Sequence, residues 1–500
     1  MLGPSYDPRE PPLVKPKIPV VGHLIGLMLN RVHYFNMVYD GNKVPIATLP
    51  MPENNMYVIF SAPMQQIAMR SNSMAANART VELIPRLFGV KMKTLLGWLG
   101  KDGVHEDMTP SMMKIFGTTL SGDSLNDMTS TTLVEVGSIL NTIGEDGLHI
   151  ENLYSWLRYH ISHAVSIALF GTKHNPYYNS KEIIDAQWDF EAGLGPLVMG
   201  FLPSIIARSA YLARAKVQEA LRPYYEGNHD QDEDVSNLVK ERGRLFRKWD
   251  TSVDQLSKNE ISVMLAATTN TIPSMFWYIA HVWTRPELVE ELRSEVARII
   301  PCLHEPNGIR RTPPPGLKEI TINFSKLDAS CPLLGSCYRE AVRLSSQILT
   351  LRKVATDMWI TDSDGKSYLL KGGNDVMIPA KVVHRNADTW GGDVEGFDPR
   401  RFLPDPNGNK ELDKLRKISF VPFGGGKHYC PGRHFAFAEN LAVMAAMVLG
   451  FELEGLDKDK LQMEDSKMGQ AAKPVPGFEG GPCVIRRRKD WEHIEWKFTK

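Results

Sequence analysis

Apolar and polar positions alternate through residues 44–69, in KVPIATLP and NNMYVIFS, which predicts two strands joined by a turn at PENN. From about residue 75 to 350 the spacing changes to the three-to-four repeat of amphipathic helices, broken by Gly, Pro and Asn. The clearest helical segments are 152–170, 181–192, 208–222, 234–248, 254–284 and 286–300. Two-residue alternation returns within 350–380, where MWITD and SYLL flank the turn SDGK. Irregular Pro- and Gly-rich chain follows from 386 to 430, then an apolar helix from about 433 to 450, then short strands and turns from 470. There is no internal repeat, and the acidic run DQDED at 230–234 reads as a solvated loop. The pattern predicts a mainly α chain with a minor, split β part.

One helical segment stands apart. Residues 261–284, ISVMLAATTNTIPSMFWYIAHVWT, contain no Asp, Glu, Lys or Arg. Hydropathy admits a membrane span there. Thr268, Thr269, Asn270, Thr271 and Pro273 in its middle favour a buried central helix instead, because polar side chains are costly in lipid. Such groups in a core need partners or a purpose.

Composition narrows the class. Hydrophobic residues make up 43% of 500, enough for a substantial core. Basic and acidic residues number 58 each, so no net positive field draws nucleic acid. Cys302, Cys331, Cys337, Cys430 and Cys483 are too scattered for a disulfide framework, which predicts reduced thiols in a cytosol-facing protein. The opening MLGPSYDPREPPLVKPKIPVVGHL has prolines at 4, 8, 11, 12, 16 and 19 and no apolar run of the length a signal or span requires. Residues 1–20 are expected to form a stiff hinge, with any membrane anchor absent from this chain or removed.

Chemistry concentrates in residues 420–440, FVPFGGGKHYCPGRHFAFAEN. A phosphate loop needs Gly-Lys-Ser/Thr, and His428 follows Gly426-Lys427 here, so that reading fails. Zinc has credible ligand types in His428, Cys430 and His434, but no second cluster at ligand spacing; Cys331 and Cys337 do not make one. The third reading makes Cys430 the sole protein ligand of a large cofactor, its thiolate favoured near the positive start of a helix. Gly424, Gly425, Gly426 and Gly432 would let backbone approach a flat macrocycle, Phe423 would pack beside it, and His428 would meet an anionic substituent.

As written, Phe423-x-x-Gly426-x-His428-x-Cys430-x-Gly432 resembles the haem-binding signature of the cytochrome P-450 superfamily, whose iron is held by one cysteine thiolate. Two further motifs stand in the family's order. YREAVRLS at 338–345 holds Glu340 and Arg343 on one helix face, and GFDPRRFLPD holds Arg401. By resemblance these three form a buried charge cluster, all members of which are needed. Arg400 stands where the family commonly has Glu, a departure that alters the local pairing. The resemblance implies the cytochrome P-450 fold, mainly α with a minor β part, with haem between a long central helix and the cysteine-ligand loop. It also implies that residues 21–500 form a single haem-binding catalytic domain.

In the family the central helix carries an acid followed by a threonine, which deliver protons for dioxygen activation. AATTNTIP departs from this: Thr269 and Asn270, or Asn270 and Thr271 with a one-residue shift, take those places without a carboxylate. A proton path would run through Asn, Thr and ordered water; the plainer reading is a capped kink before Pro273. NTIP and EAVRLSSQILTLRKVATD are similar to the branch of bile-acid sterol 7-alpha-hydroxylases and prostacyclin synthase. That likeness assigns Arg352 to a haem propionate. The usual Trp-to-Arg propionate pair is missing from VHEDMTPSMMKIF, where Lys114 is a weak substitute.

The resemblance thus implies a haem-thiolate monooxygenase with haem b (heme, iron protoporphyrin IX), dioxygen, and NADPH electrons from a flavoprotein reductase, cytochrome b5 being a second donor. Its implied setting is the cytosolic face of the endoplasmic reticulum membrane, as a monomer. The family's pocket segments read here as Leu, Ile, Met, Phe and Trp, so the substrate is expected to be bulky and lipophilic: a steroid, terpenoid or related secondary metabolite. Segment 194–206 is apolar enough to dip into a membrane surface, and equally explicable as core. Lys414, Arg416, Lys417, Lys427 and Arg433 make either a basic face for an acidic electron donor or ordinary solvated charge. Two alternatives accompany the monooxygenase: a haem-thiolate isomerase or dehydratase acting on a peroxide without reductase, and a non-catalytic haem-binding or membrane-embedded protein.

Overall fold

The alternating stretch near the N-terminus forms an antiparallel hairpin of β1 (Ile46–Pro50) and β2 (Asn55–Ile59). With β3 (Met74–Ala75), β4 (Leu349–Val354) and β5 (Asp375–Pro379) it builds a five-stranded sheet in the order β1-β2-β5-β4-β3. Only the β2–β5 pair is parallel. Both faces are covered, as the period of two allows. Ile46, Tyr57, Ile59, Val376 and Ile378 pack with Met64, Ala68 and Met69 of helix Ala62–Arg70. Ala47, Leu49, Met56 and Val58 pack on the other side with Phe35 and Val38. The strands expected around SDGK are Met358–Thr361 and Ser367–Leu370, paired antiparallel.

This computed structural model describes residues 6–16, 21–75, 80–306, 308–426, 429–464 and 469–500. The chain divides into two units. The sheet belongs to the first, which comprises Met1–Ala78, Ser336–Cys430 and Leu461–Phe478. The second is mostly helical and comprises Arg79–Gly335, Pro431–Lys460 and Glu479–Lys500.

In the second unit the helices Leu153–Phe170, Lys181–Ala192, Arg208–Glu226, Asn237–Lys248, Pro286–Ala297 and Arg433–Gly450 follow the sequence periodicity. Helix Gly122–Asn141 escaped that reading. Its buried face includes Thr129, Thr132 and Gly137 beside Met128, Leu133, Val136 and Leu140, so its apolar stripe is diluted. The two hydroxyls return their protons to the helix, Thr129 to Leu125 O at 2.8 Å and Thr132 to Met128 O at 3.0 Å.

The segment expected as one helix over 254–284 is two, Val253–Thr268 and Thr271–Trp283. Pro273 has no N–H for the carbonyl of Thr269 and its ring crowds that carbonyl, so the ladder opens there. Among the described residues no helix is long and apolar enough to cross a membrane.

Helix Arg433–Gly450 is buried on nearly every side and carries Glu439 into the core at 0% exposure. Neither carboxylate oxygen has a hydrogen-bond partner among the described residues, and burial pushes its pKa up from 4.5 to about 8. An unfolded chain releases this proton above pH 4.5, whereas the folded chain keeps it until about pH 8. The proton therefore stabilises the folded state, and stability falls as pH rises through that window, by a few kcal/mol. Glu439→Gln is expected to remove this component of the slope and to raise stability at pH 8. Denaturant midpoints at both ends of the window measure it, and unchanged slopes would refute the assignment.

Candidate functional site

In the first unit, Glu340 and Arg343 sit one turn apart on helix Pro332–Ser345, at 0% and 1% exposure. Charges that deep are tolerated only when paired and fully hydrogen-bonded. Arg343 donates to Glu340 through Nε at 2.7 Å and Nη2 at 2.8 Å, and through Nη1 to the carbonyl of His384 at 2.6 Å. Arg401 donates from Nε to Glu340 Oε1 at 2.9 Å. Its other nitrogens cap the carbonyls of Trp390, Asp393 and Gly396. Asp398 N–H completes the carboxylate at 3.2 Å, and the Arg343 guanidinium lies 5.4 Å over the Trp390 ring. The three residues grouped by motif are thus one buried network.

That network reaches the cysteine loop through a residue the motifs did not single out. His384 is fully buried, and its pKa is held down at about 3 by burial and by the Arg343 cation. Neutral, it accepts the Val421 N–H at Nε2 across 3.1 Å, where the loop begins. Phe420 stacks on its ring at 5.9 Å, and Phe402 meets Phe420 edge-on at 4.9 Å. A lone His in the apolar run VVH, between Arg343 and Arg401, was the available signal.

Downstream, Cys430 is half-buried, and its N–H donates to the Phe423 carbonyl at 2.9 Å, tying the loop at its neck. Gly426 has φ +63°, and a Cβ there would stand 1.9 Å from the Met69 carbonyl oxygen. A Cβ on Gly425 would meet Met69 Sδ at 2.6 Å. At these positions glycine admits the end of helix Ala62–Arg70, a constraint from the protein itself. His428 lies outside the described residues, as does Lys427. Gly432 caps helix Arg433–Gly450, and Ala436 N–H bonds its carbonyl at 3.0 Å.

No disulfide forms among the five cysteines. Burial pushes the Cys331 thiol up to about 12 and the Cys483 thiol up to about 11, so both stand as protonated, buried thiols. Among the described residues, no third His, Cys, Asp or Glu gathers with Cys430 as a zinc site would require.

Arg352 sits on β4 opposite Val376, 9% exposed. Its Nη1 donates to the Leu351 carbonyl at 3.0 Å, and no carboxylate among the described residues pairs with it. Burial lowers its pKa, so this guanidinium bears a desolvation cost that an anionic ligand would relieve. Lys114, on helix Thr109–Thr119 of the second unit, is exposed.

The break in the central helix lies in the second unit. Thr269 is 6% exposed, and its buried hydroxyl has no hydrogen-bond partner among the described residues. Its carbonyl is the one Pro273 leaves without a helical donor. Asn270 is exposed, and its carbonyl takes the Ser274 hydroxyl at 2.7 Å and N–H at 3.2 Å. Thr271 is buried at 8% exposure. The acids of this helix pair are elsewhere engaged: Glu260 is fully buried against Arg242 at 3.0 Å, and Asp254 bonds Lys258 at 2.9 Å.

Within the first unit, a tethered half-buried thiol at Cys430 and a buried guanidinium at Arg352 with no carboxylate partner among the described residues have the chemistry to hold a thiolate-ligated, anionic macrocycle. Comparison with known proteins agrees. The family profile described as Cytochrome P-450 matches residues 244–479. A cytochrome P-450 monooxygenase of Gibberella zeae is 31% identical, over 99% of this chain and 92% of its own. Another, nodJ of Hypoxylon pulicicidum, is 27% identical over 99% and 93%. The 25-hydroxycholesterol 7-alpha-hydroxylase of Rattus norvegicus is 26% identical over 70% of this chain and 83% of its own.

Proposed function

Since the chain belongs to the cytochrome P-450 family, as an oxidoreductase of its monooxygenase class, we propose that it oxidises a bulky lipophilic substrate with dioxygen and electrons from NADPH through a flavoprotein reductase. The observation that carries this reading is the Cys430 loop, hung from the buried Glu340–Arg343–Arg401 network through His384. Bound haem supplies a redox-active iron whose thiolate ligand favours dioxygen cleavage and C–H oxidation. Cys430 would hold the iron, Phe423 would pack beside the ring, and Arg352 would pair with a propionate, with His428 and Lys114 as further propionate partners. Gly426 and Gly432 shape the loop on either side of the thiol.

Thr269, Asn270 and Thr271 would hold and pass protons at the helix break. Asn270 is the exposed one of the three, and Thr269 offers a buried hydroxyl without a partner among the described residues. With no carboxylate, their contribution should fall below the ~10²–10⁴ of a general acid. Asn270→Ala is expected to lower product formed per NADPH consumed by about 10-fold, with peroxide released instead. Thr269→Val should do less, and Thr271→Ala least. Equal coupling in all three variants would remove the proton path from this segment.

The engaged state of Glu260 and Asp254 keeps one second reading in view, a peroxide isomerase or dehydratase that needs no reductase. Turnover of a lipid peroxide without NADPH or reductase would select it. Similarity to a protein named 25-hydroxycholesterol 7-alpha-hydroxylase supports steroids as the first substrates to screen, with terpenoids after them, through the shift of the resting haem band on binding.

We place the protein at the cytosolic face of the endoplasmic reticulum membrane, as a monomer with cytochrome b5 as an additional donor. Met199, Phe201, Leu202, Ile205 and Ile206 are each more than half exposed, which supports contact with lipid. The double change Phe201→Ser, Ile205→Ser is expected to weaken co-sedimentation with phospholipid vesicles about 10-fold, at roughly 1–2 kcal/mol of apolar burial. Unchanged sedimentation would place the membrane contact elsewhere.

A further inference from the structure

The acidic run 230–234 is only in part the solvated loop its charge pattern predicts: Glu233 and Asp234 are exposed, and the rest is engaged. Asp230 is fully buried, with both oxygens taken by Arg247 at 2.6 and 2.7 Å. Asp234 accepts the N–H and hydroxyl of Thr172 at 2.8 and 2.9 Å. Asp232 faces a pair of histidines brought together from two segments: His229 of the turn His229–Gln231, and His174, which follows helix Leu153–Phe170. Their rings stack at 3.5 Å with an 18° tilt.

We propose that His174, His229 and Asp232 form a binding site for a zinc-class divalent ion. One ligand atom from each lies within 4.8 Å of the other two, with His174 exposed and the others half-buried. His229 Nδ1 and Asp232 Oδ2 are 3.2 Å apart, close to the about 3.3 Å edge of a tetrahedron with bonds of about 2.0–2.1 Å. The His229 ring is fixed on both edges: Nε2 lies against Gly227, where a Cβ would stand 2.4 Å away, and Nδ1 faces Asp232. Two nitrogens and one carboxylate suit Zn²⁺ over Mg²⁺ or Ca²⁺, which take oxygen ligands.

The frame around the donors is built without the ion. The Thr172–Asp234 bonds join the two segments, Asn175 donates to the Gly171 carbonyl at 3.0 Å, and Gln231 donates to the Lys240 carbonyl at 3.1 Å. The stacked rings lie in nearly parallel planes, so one of them must turn for both to face a single ion, and His174 is the exposed one. Besides Asp230 and Asp232, two further carboxylates stand in the run, Glu233 and Asp234, with Lys240 acting on Asp234. Asp230 is matched by Arg247, whereas neither Asp232 nor Asp234 pairs with a Lys or Arg among the described residues. A bound ion would clip residues 171–175 to the turn after helix Arg208–Glu226.

Calorimetric titration of the tag-free, haem-loaded full chain, freed of metal by chelator and desalted, tests this with zinc chloride as the only titrant. One zinc per chain is expected, with His174→Ala and Asp232→Asn each weakening it at least about 10-fold. Gly227→Ala, which displaces the His229 ring, should weaken it too. Zinc should raise the melting temperature of the wild type and not that of His174→Ala, whose zinc-free melting and haem spectrum should match the wild type. Equal zinc affinity in wild type and His174→Ala would overturn the proposal, as would equal affinity for magnesium chloride in a parallel titration.

Discussion

Replacing Glu340 by alanine is expected to destabilise the protein by about 3–5 kcal/mol and to abolish haem retention. The carboxylate is the negative charge shared by two guanidiniums that are 1% and 6% exposed. Its removal strands both cations, a loss that is a large fraction of the about 5–15 kcal/mol that holds a typical domain folded. Glu340→Gln keeps the shape and loses the charge, so it should remain nearly as damaging; a role in packing alone would spare it. Arg401→Leu should be severe by a different route, since the carbonyls of Trp390, Asp393 and Gly396 then lose their donor. Apolar replacement of the whole triad, neutral in some proteins, should not rescue this one, because the arginines also serve backbone groups. Thermal melting and haem content of the purified variants decide the matter. A Glu340→Ala protein that melts like the wild type would show that the network does not support the loop.

Replacing Cys430 by alanine is expected to leave the fold standing and to end the chemistry. The carbon-monoxide complex of the reduced protein should lose its thiolate band, and monooxygenase turnover should fall by at least about 10³-fold. The backbone bond from Cys430 N–H to Phe423 O survives the substitution, as do the Met69 contacts of Gly425 and Gly426, so the loop keeps its course. Cys331→Ala and Cys483→Ala are the controls: both thiols are buried, so each costs stability through a small cavity and leaves the band intact. A thiolate band that persists in Cys430→Ala would move the iron to another cysteine and dismantle the site.

The two variants separate what was legible from what was not. Cys430, Glu340, Arg343 and Arg401 were named by motif, and helices Lys181–Ala192 and Arg433–Gly450 ended where the pattern ended. His384 carried no motif, and its importance lies in accepting one backbone N–H 37 residues away. Gly426 was legible as a special residue, with only part of its reason in view. Spacing called for close approach to a macrocycle, and the structure adds the carbonyl of Met69, far earlier in the chain. The acidic run at 230–234 was read by charge, which has no means of telling Asp230, sealed against Arg247, from its more exposed neighbours.

Local rules therefore determined most of the element types, the strand hairpin and the weak point before Pro273. These follow from periodicity, proline geometry and residue chemistry, which act over a few neighbouring positions. Tertiary structure decided which carbonyls Arg343 and Arg401 cap, that Arg352 is buried without a counter-charge among the described residues, and that His174 stacks on His229. Those outcomes depend on desolvation and on partners distant along the chain, and neither quantity is carried by any single stretch of sequence.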